Sequence, residues 1–204
     1  MARRNKEDST QIELSQESIL NAAIRNFRDK GYRASSLEDV AVSLGVTRPS
    51  LYYYFKSKEE ILIAAHRKAV EKLFITEDIM ADDELSVQEK FEKILTNHIQ
   101  VVASNARLIG IAFEEEKELP KNDPRIVDYH VTRRQYNETL VELYRQGVQE
   151  GIFRDVDPYL AVFAILGACN WTYRWFREGE KYDSAQVARS IVKIMAEGYL
   201  SPSG

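Results

Sequence analysis

Apolar residues recur at three- and four-residue spacing along almost the whole chain, and the β-branched residues are scattered instead of alternating. That pattern predicts helices and no sheet. The first helix is expected from about Ser15 to Lys30: Ser15 or Ser18 caps it, Ile19, Leu20, Ala23, Ile24 and Phe27 make one stripe, and Gly31 ends it. Ser35-Ser36-Leu37-Glu38-Asp39 carries the serine–acid spacing of a capping box and opens a second, short helix that stops near Leu44-Gly45. Thr47-Arg48-Pro49-Ser50 starts a third, with Thr47 as the cap and Pro49 in the first turn, ending near Phe55. A fourth runs from Ser57-Lys58-Glu59-Glu60 through Ile61, Leu62, Ala65, Ala69 and Leu73 toward Phe74. Later helices are expected at 86–104, 105–119, 125–150, 158–177 and 184–200, separated by Asp82-Asp83, the segment 120–124, Gly151, and Glu178-Gly179-Glu180.

The fold class is therefore all-α, with about nine helices: a three-helix N-terminal domain at 15–60 behind a flexible arm at 1–14, then a helical bundle at 61–204. At 204 residues, 44% hydrophobic and 29% charged, the chain can bury a sizeable core in one or two domains. No apolar run reaches membrane-spanning length and the first residues lack a signal peptide's apolar centre, so the expected location is the cytoplasm. The single cysteine, Cys169, lies in an apolar stretch, which fits a packing role in a reducing compartment.

The net charge of −4 speaks against a nucleic-acid partner until its distribution is examined. Residues 1–60 carry ten Lys or Arg against nine Asp or Glu, and residues 61–204 carry eighteen against twenty-three. Only the front end can bind an anion, through a local arrangement of basic groups and not a bulk field.

That arrangement is found in residues 37–55. Two short helices crossing steeply need a small residue at closest approach, supplied by Ala41, and a turn tolerant of left-handed backbone, supplied by Gly45. Val40, Leu44, Val46, Leu51 and Tyr54 fall inward, which leaves Thr47, Arg48, Ser50 and Tyr53 on the outer face. These residue types hydrogen-bond bases and phosphates, and a helix of this size fits the major groove. Tyr52 is spaced from Leu51 and Phe55 so that its ring packs and its hydroxyl shows. Lys56 reads as a solvated charge, and Arg3, Arg4 and Lys6 as a basic tail able to reach a minor groove.

These residues resemble the DNA-binding domain of the TetR family of repressors. The likeness rests on Gly31-Tyr32, residues 35–41, Gly45-Val46-Thr47, Leu51-Tyr52-Tyr53-Tyr54-Phe55 and Ser57-Lys58-Glu59-Glu60. It implies a homodimer that grips double-stranded operator DNA and releases it when a small-molecule effector binds. By the same resemblance the helix holding Thr47, Arg48, Pro49, Ser50, Tyr52, Tyr53 and Tyr54 reads bases, Tyr53 and Lys58 hold phosphates, and Ser36 touches the DNA backbone. The family's usual histidine before the phenylalanine is Tyr54 here.

For the second half the family implies an effector-enclosing bundle whose last two helices pair with their copies. The residues agree: Tyr159, Leu160, Val162, Phe163, Ile165, Leu166, Trp171, Trp175 and Phe176 surround the eighth expected helix. Ala161, Ala164, Gly167 and Ala168 allow close approach, and Val187, Ile191, Ile194 and Met195 supply a stripe on the last helix. Candidates for the effector pocket are Phe91, Ile99, Phe113, Tyr129, Tyr136, Phe163, Asn170, Trp171 and Arg174, although helically spaced aromatics are also what a core requires. Asn170-Trp171-Thr172-Tyr173-Arg174-Trp175-Phe176-Arg177 resembles a segment of regulators of fatty-acid and steroid-side-chain catabolism, which respond to coenzyme A thioesters; Arg174 or Arg133 would then neutralise an acid group.

Two other classes stay open at this point, a helical protein-interaction module and a helical enzyme. His98, Glu114, Glu115, Glu116, Glu118 and His130 do not form the Glu-x-x-His pairs of a carboxylate-bridged metal site. No phosphate-binding loop, dinucleotide fingerprint, serine elbow or zinc spacing occurs, so no metal, cofactor or catalytic constellation is expected.

Overall fold

The computed structural model describes residues 14–177 and 179–199, and the basic arm with Arg3, Arg4 and Lys6 lies outside them. Among the described residues there are ten α-helices and no strand. They are α1 (Gln16–Lys30), α2 (Leu37–Leu44), α3 (Arg48–Tyr52), α4 (Lys58–Val70), α5 (Glu77–Ala81), α6 (Val87–Ser104), α7 (Ala106–Glu114), α8 (Pro124–Gln149), α9 (Pro158–Trp175) and α10 (Ser184–Tyr199). No helix among them is long and apolar enough to cross a membrane.

The start signals act as the spacing predicts. Ser15 and Ser18 cap α1 reciprocally, Ser36 and Asp39 do so at α2, and Ser86 and Glu89 at α6. Three details differ from the periodicity. α4 stops at Val70, short of the expected Phe74, and the five-residue α5 follows, too short for a 3.6-residue stripe to register. α3 holds only five residues before the chain turns toward Phe55. The expected helix 105–119 breaks after Glu114, where a 3-10 turn at Glu116–Glu118 precedes Pro120.

The chain divides into two compact units, residues 1–64 and 65–204, and the division falls within α4. In the first, Ile19, Ala22, Ala23 and Phe27 of α1, Val40 and Ala41 of α2, and Leu51 of α3 are buried. In the second, α6, α8, α9 and α10 contribute to one core containing Phe91, Leu95, Ile99, Tyr136, Leu140, Tyr144, Val162, Cys169, Val187 and Val192. Cys169 has no exposed surface, and burial pushes its thiol pKa up to about 12, so it packs as an inert apolar group.

Past the end of α8, the amides of Ile152 and Phe153 donate to the Gly147 carbonyl and bring the Phe153 ring back over the helix. A methyl at Gly147 would stand 2.2 Å from that ring, which is itself fully buried between Phe91 and Tyr144. Gly147→Ala is therefore expected to destabilise the second unit by about 1–3 kcal/mol, the range for overpacking a filled core. Chemical denaturation checks this, and a midpoint equal to wild type would show that Phe153 relocates freely.

Candidate functional site

The corner between α2 and α3 is built from one unusual backbone position. Gly45 sits at φ 67°, ψ 27°, and its amide, with that of Val46, returns to carbonyls of the last turn of α2. A left-handed residue with these bonds closes a helix and redirects the chain, and glycine adopts it without a side-chain clash. The turn leaves Thr47, Arg48, Pro49 and Tyr53 exposed and Ser50 half-buried, with Tyr53 83% exposed. Thr47 occupies the cap position of α3, but its hydroxyl bonds the Ser50 hydroxyl at 2.8 Å and not a backbone amide. The half-buried Tyr52 presents its hydroxyl to Arg48, accepting from Nε at 3.2 Å and Nη2 at 2.8 Å. The Arg48 guanidinium is thus held over its own helix, 5.4 Å from the Tyr52 ring.

Tyr54 lies inward, as its spacing predicts and not as a base contact, and Lys58 also faces the protein. Tyr54 donates its hydroxyl to the Leu14 carbonyl at 2.8 Å, tying the segment ahead of α1 to the corner. Lys58 directs its ammonium at the carbonyls of Tyr32, Ser35 and Arg33, at 2.7, 2.8 and 3.3 Å, over the face of the Tyr32 ring. An ammonium has three donors, and all three are committed to the loop between α1 and α2. This differs from the expectation of a free phosphate contact. Ser36 remains exposed at the head of α2, its hydroxyl accepting from the Asp39 amide and donating to the Asp39 carboxylate. The Lys30 ammonium, with the Ser36 hydroxyl and amide, holds the Asp39 carboxyl down at about 2.

In the second unit the expected pocket residues separate into several groups. Phe91 and Ile99 are wholly buried core. Tyr129 and Tyr136 flank Phe74, at ring distances of 5.9 and 5.1 Å. Asn170 reaches Tyr136 through His98, whose Nε2 donates to Asn170 Oδ1 at 2.8 Å while Nδ1 accepts from the Tyr136 hydroxyl at 2.9 Å. An amide oxygen only accepts, which sets this tautomer. Burial holds the His98 pKa down at about 4 against the opposing Asn170 bond, so the ring is neutral.

The remaining candidates lie elsewhere. Phe113, half-buried, packs edge-on against Tyr173 of α9. Phe163 stacks on Tyr159, and Trp171 lies beneath the Arg174 guanidinium, which is paired with Glu114. Phe163, Trp171 and Arg174 are all exposed on the outside of α9 and none joins the buried network. Sequence reasoning missed His98 and His66 as polar groups of the core. His98 had a readable signal, since it continues the Phe91, Leu95 and Val102 stripe of α6. No cluster of metal-ligating residues is found among the described residues.

Known proteins place this geometry. Residues 19–65 match the family described as bacterial regulatory proteins, tetR family, and residues 84–199 match the tetracyclin repressor-like C-terminal domain. The chain is 27% identical to the HTH-type transcriptional repressor KstR2 of Rhodococcus jostii over 90% of each protein. It is 25% identical to the fatty acid metabolism regulator protein of Bacillus subtilis, over 88% of this chain and 93% of that one. The solved ketosteroid transcriptional regulator KstR2 of Mycobacterium tuberculosis matches with a TM-score of 0.82 at 25% identity, covering 94% of this chain and 98% of its own. Two family matches spanning most of the chain, on a helix-turn-helix corner followed by a helical bundle, show that this protein belongs to the tetR family of bacterial regulatory proteins, as a transcriptional repressor of the KstR2 and fatty-acid-regulator type.

Proposed function

We propose that the chain is a cytoplasmic, homodimeric repressor that holds an inverted-repeat operator with a head at residues 15–60 and leaves it when a coenzyme A thioester binds the body at 61–204. The observation that carries the reading is the presence, in one chain, of two solvent-facing helices of opposite character. α3 turns Thr47, Arg48, Ser50 and Tyr53 outward, a surface that suits a DNA groove. α9 turns apolar side chains outward at helical spacing, with Leu160 65% and Trp171 59% exposed. Phe163, Ala164, Gly167, Ala168 and Trp175 continue that stripe, and Ile194 of α10 is 70% exposed. A contiguous apolar face of this kind is the mark of an interface, and small residues along it let a copy approach closely.

On this reading Trp171 and Phe163 serve the dimer seam, and the effector's polar contacts come from the Tyr136–His98–Asn170 group. A mostly apolar interior with a few convergent polar groups suits an acyl chain. The name of one relative, a fatty acid metabolism regulator, points to the same chemical class. Arg48 is assigned to base reading. Lys58 is assigned to holding the loop ahead of α2, and so the placement of Ser36.

Gly167→Glu is expected to give a folded monomer with weak operator affinity, since two buried carboxylates would face each other across the seam. Sedimentation checks it, and a tight-binding dimer would move the interface elsewhere. Arg48→Ala should reduce discrimination between operator and random DNA, a base contact being worth about 1–3 kcal/mol. Lys58→Met should weaken binding to both while leaving the salt slope unchanged; loss of a phosphate contact would instead flatten that slope by about 0.9 units. Titrating the operator complex with saturated acyl-CoA thioesters and the matching free acids tests induction. The thioesters should lower DNA affinity by about 5- to 150-fold, the usual span of such coupling, and release by none of them would remove the effector assignment.

A further inference from the structure

Two buried side chains among the described residues have polar atoms without a partner, the Thr172 hydroxyl and both ring nitrogens of His66. His66 lies on α4, in the second unit, with no exposed surface. Its ring meets Tyr129 edge-to-face at a centroid distance of 4.2 Å and an angle of 89°. Such a contact fills space but is a weak substitute for a hydrogen bond. The other polar groups nearby are already engaged with one another: the Arg133 guanidinium bonds the Tyr129 hydroxyl at 3.1 Å and Glu116 at 3.0 Å, and His130 stands 3.9 Å from Glu116.

His98 shows what a buried histidine with its bonds met looks like in the same unit. It is equally removed from water, and both of its nitrogens are bonded, to Tyr136 and Asn170. Leaving a buried donor and acceptor unmet is costly, and evolution retains such a cost where a site awaits something. We propose that His66 is the hydrogen-bond anchor for a neutral oxygen carried on the effector's acyl chain, so that the effector is an oxo- or hydroxy-acyl thioester and not a plain hydrocarbon one. This rests on the acyl-thioester reading above.

The surroundings select an oxygen acceptor over other groups. The Arg133 guanidinium acts on His66 as a positive charge, which disfavours a ligand cation there and favours the negative end of a carbonyl or hydroxyl dipole. A carboxylate would need a free cation, and Arg133 is already paired with Glu116. Burial, reinforced by His130 and Arg133, holds the His66 pKa down at about 4, so at neutral pH the ring offers one N–H and no charge.

The test compares decanoyl-CoA with its oxo derivatives, the carbonyl placed at successive carbons, on the full-length protein and on His66→Phe and His66→Gln. Wild type should bind the best-placed oxo derivative about 2- to 12-fold tighter than decanoyl-CoA, the worth of one net hydrogen bond. His66→Phe should lose that preference, and His66→Gln, which keeps a donor, should retain part of it. Ligand-free His66→Phe should melt at or above wild type, because an unpartnered polar ring has been replaced by an apolar one. Decanoyl-CoA binding with no preference at any carbonyl position would overturn this inference alone. So would a His66→Phe protein that melts well below wild type and loses both probes equally, since His66 would then be structural. Binding of no probe would overturn the acyl-thioester reading together with this one.

Discussion

Polar groups withdrawn from water need partners, and an unmet donor or acceptor costs about 1–3 kcal/mol. In the first unit this demand sets the geometry of the DNA-facing corner. α2 and α3, with eight and five residues, are far too short to persist alone. Their ends are instead closed from outside: Ser36 and Asp39 cap one, the amides of Gly45 and Val46 return to its last turn, and Lys58 gathers the carbonyls of the preceding loop. Because the partners come from different elements, the corner has one arrangement, and the outward set on α3 is presented by a stiff support.

The second unit meets the same demand differently. Its long helices satisfy their own backbones, so the polar exceptions are side chains. His98 sits in an apolar core and is tolerated because Tyr136 and Asn170, each bonding one of its ring nitrogens, arrive from α8 and α9. His66 has no such pair. α9 presents the complementary case, apolar groups left in water: Val162, Leu166 and Cys169 face the core while Leu160, Phe163 and Trp171 face out. A helix apolar on both sides is stable in water only when something covers the second side.

Much of the fold was legible in the chain. The stripe on α1, the serine–acid starts of α2 and α4, the glycine after α2 and the breaks at Pro120 and Gly151 are local signals, readable because their partners lie three or four residues away. The solvent-facing character of Thr47, Arg48 and Tyr53 was legible for the same reason. Periodicity also marked α9 as apolar on two sides, without saying which aromatic took which side; Trp171 and Phe163 were expected against an effector and lie outside.

What tertiary structure alone decided is the identity of partners distant in sequence. Lys58 reaches carbonyls about two dozen residues back, Tyr54 reaches Leu14, and His98 joins residues on two other helices. Nothing in the spacing of a lysine announces whether its ammonium will meet a phosphate or a loop, because either is a set of oxygens at bonding distance. The sequence by itself determined the helices, their caps and the face each residue takes on its own helix; which of those faces meet, and so which polar groups are satisfied and which are left waiting, depends on packing across helices that no local pattern encodes.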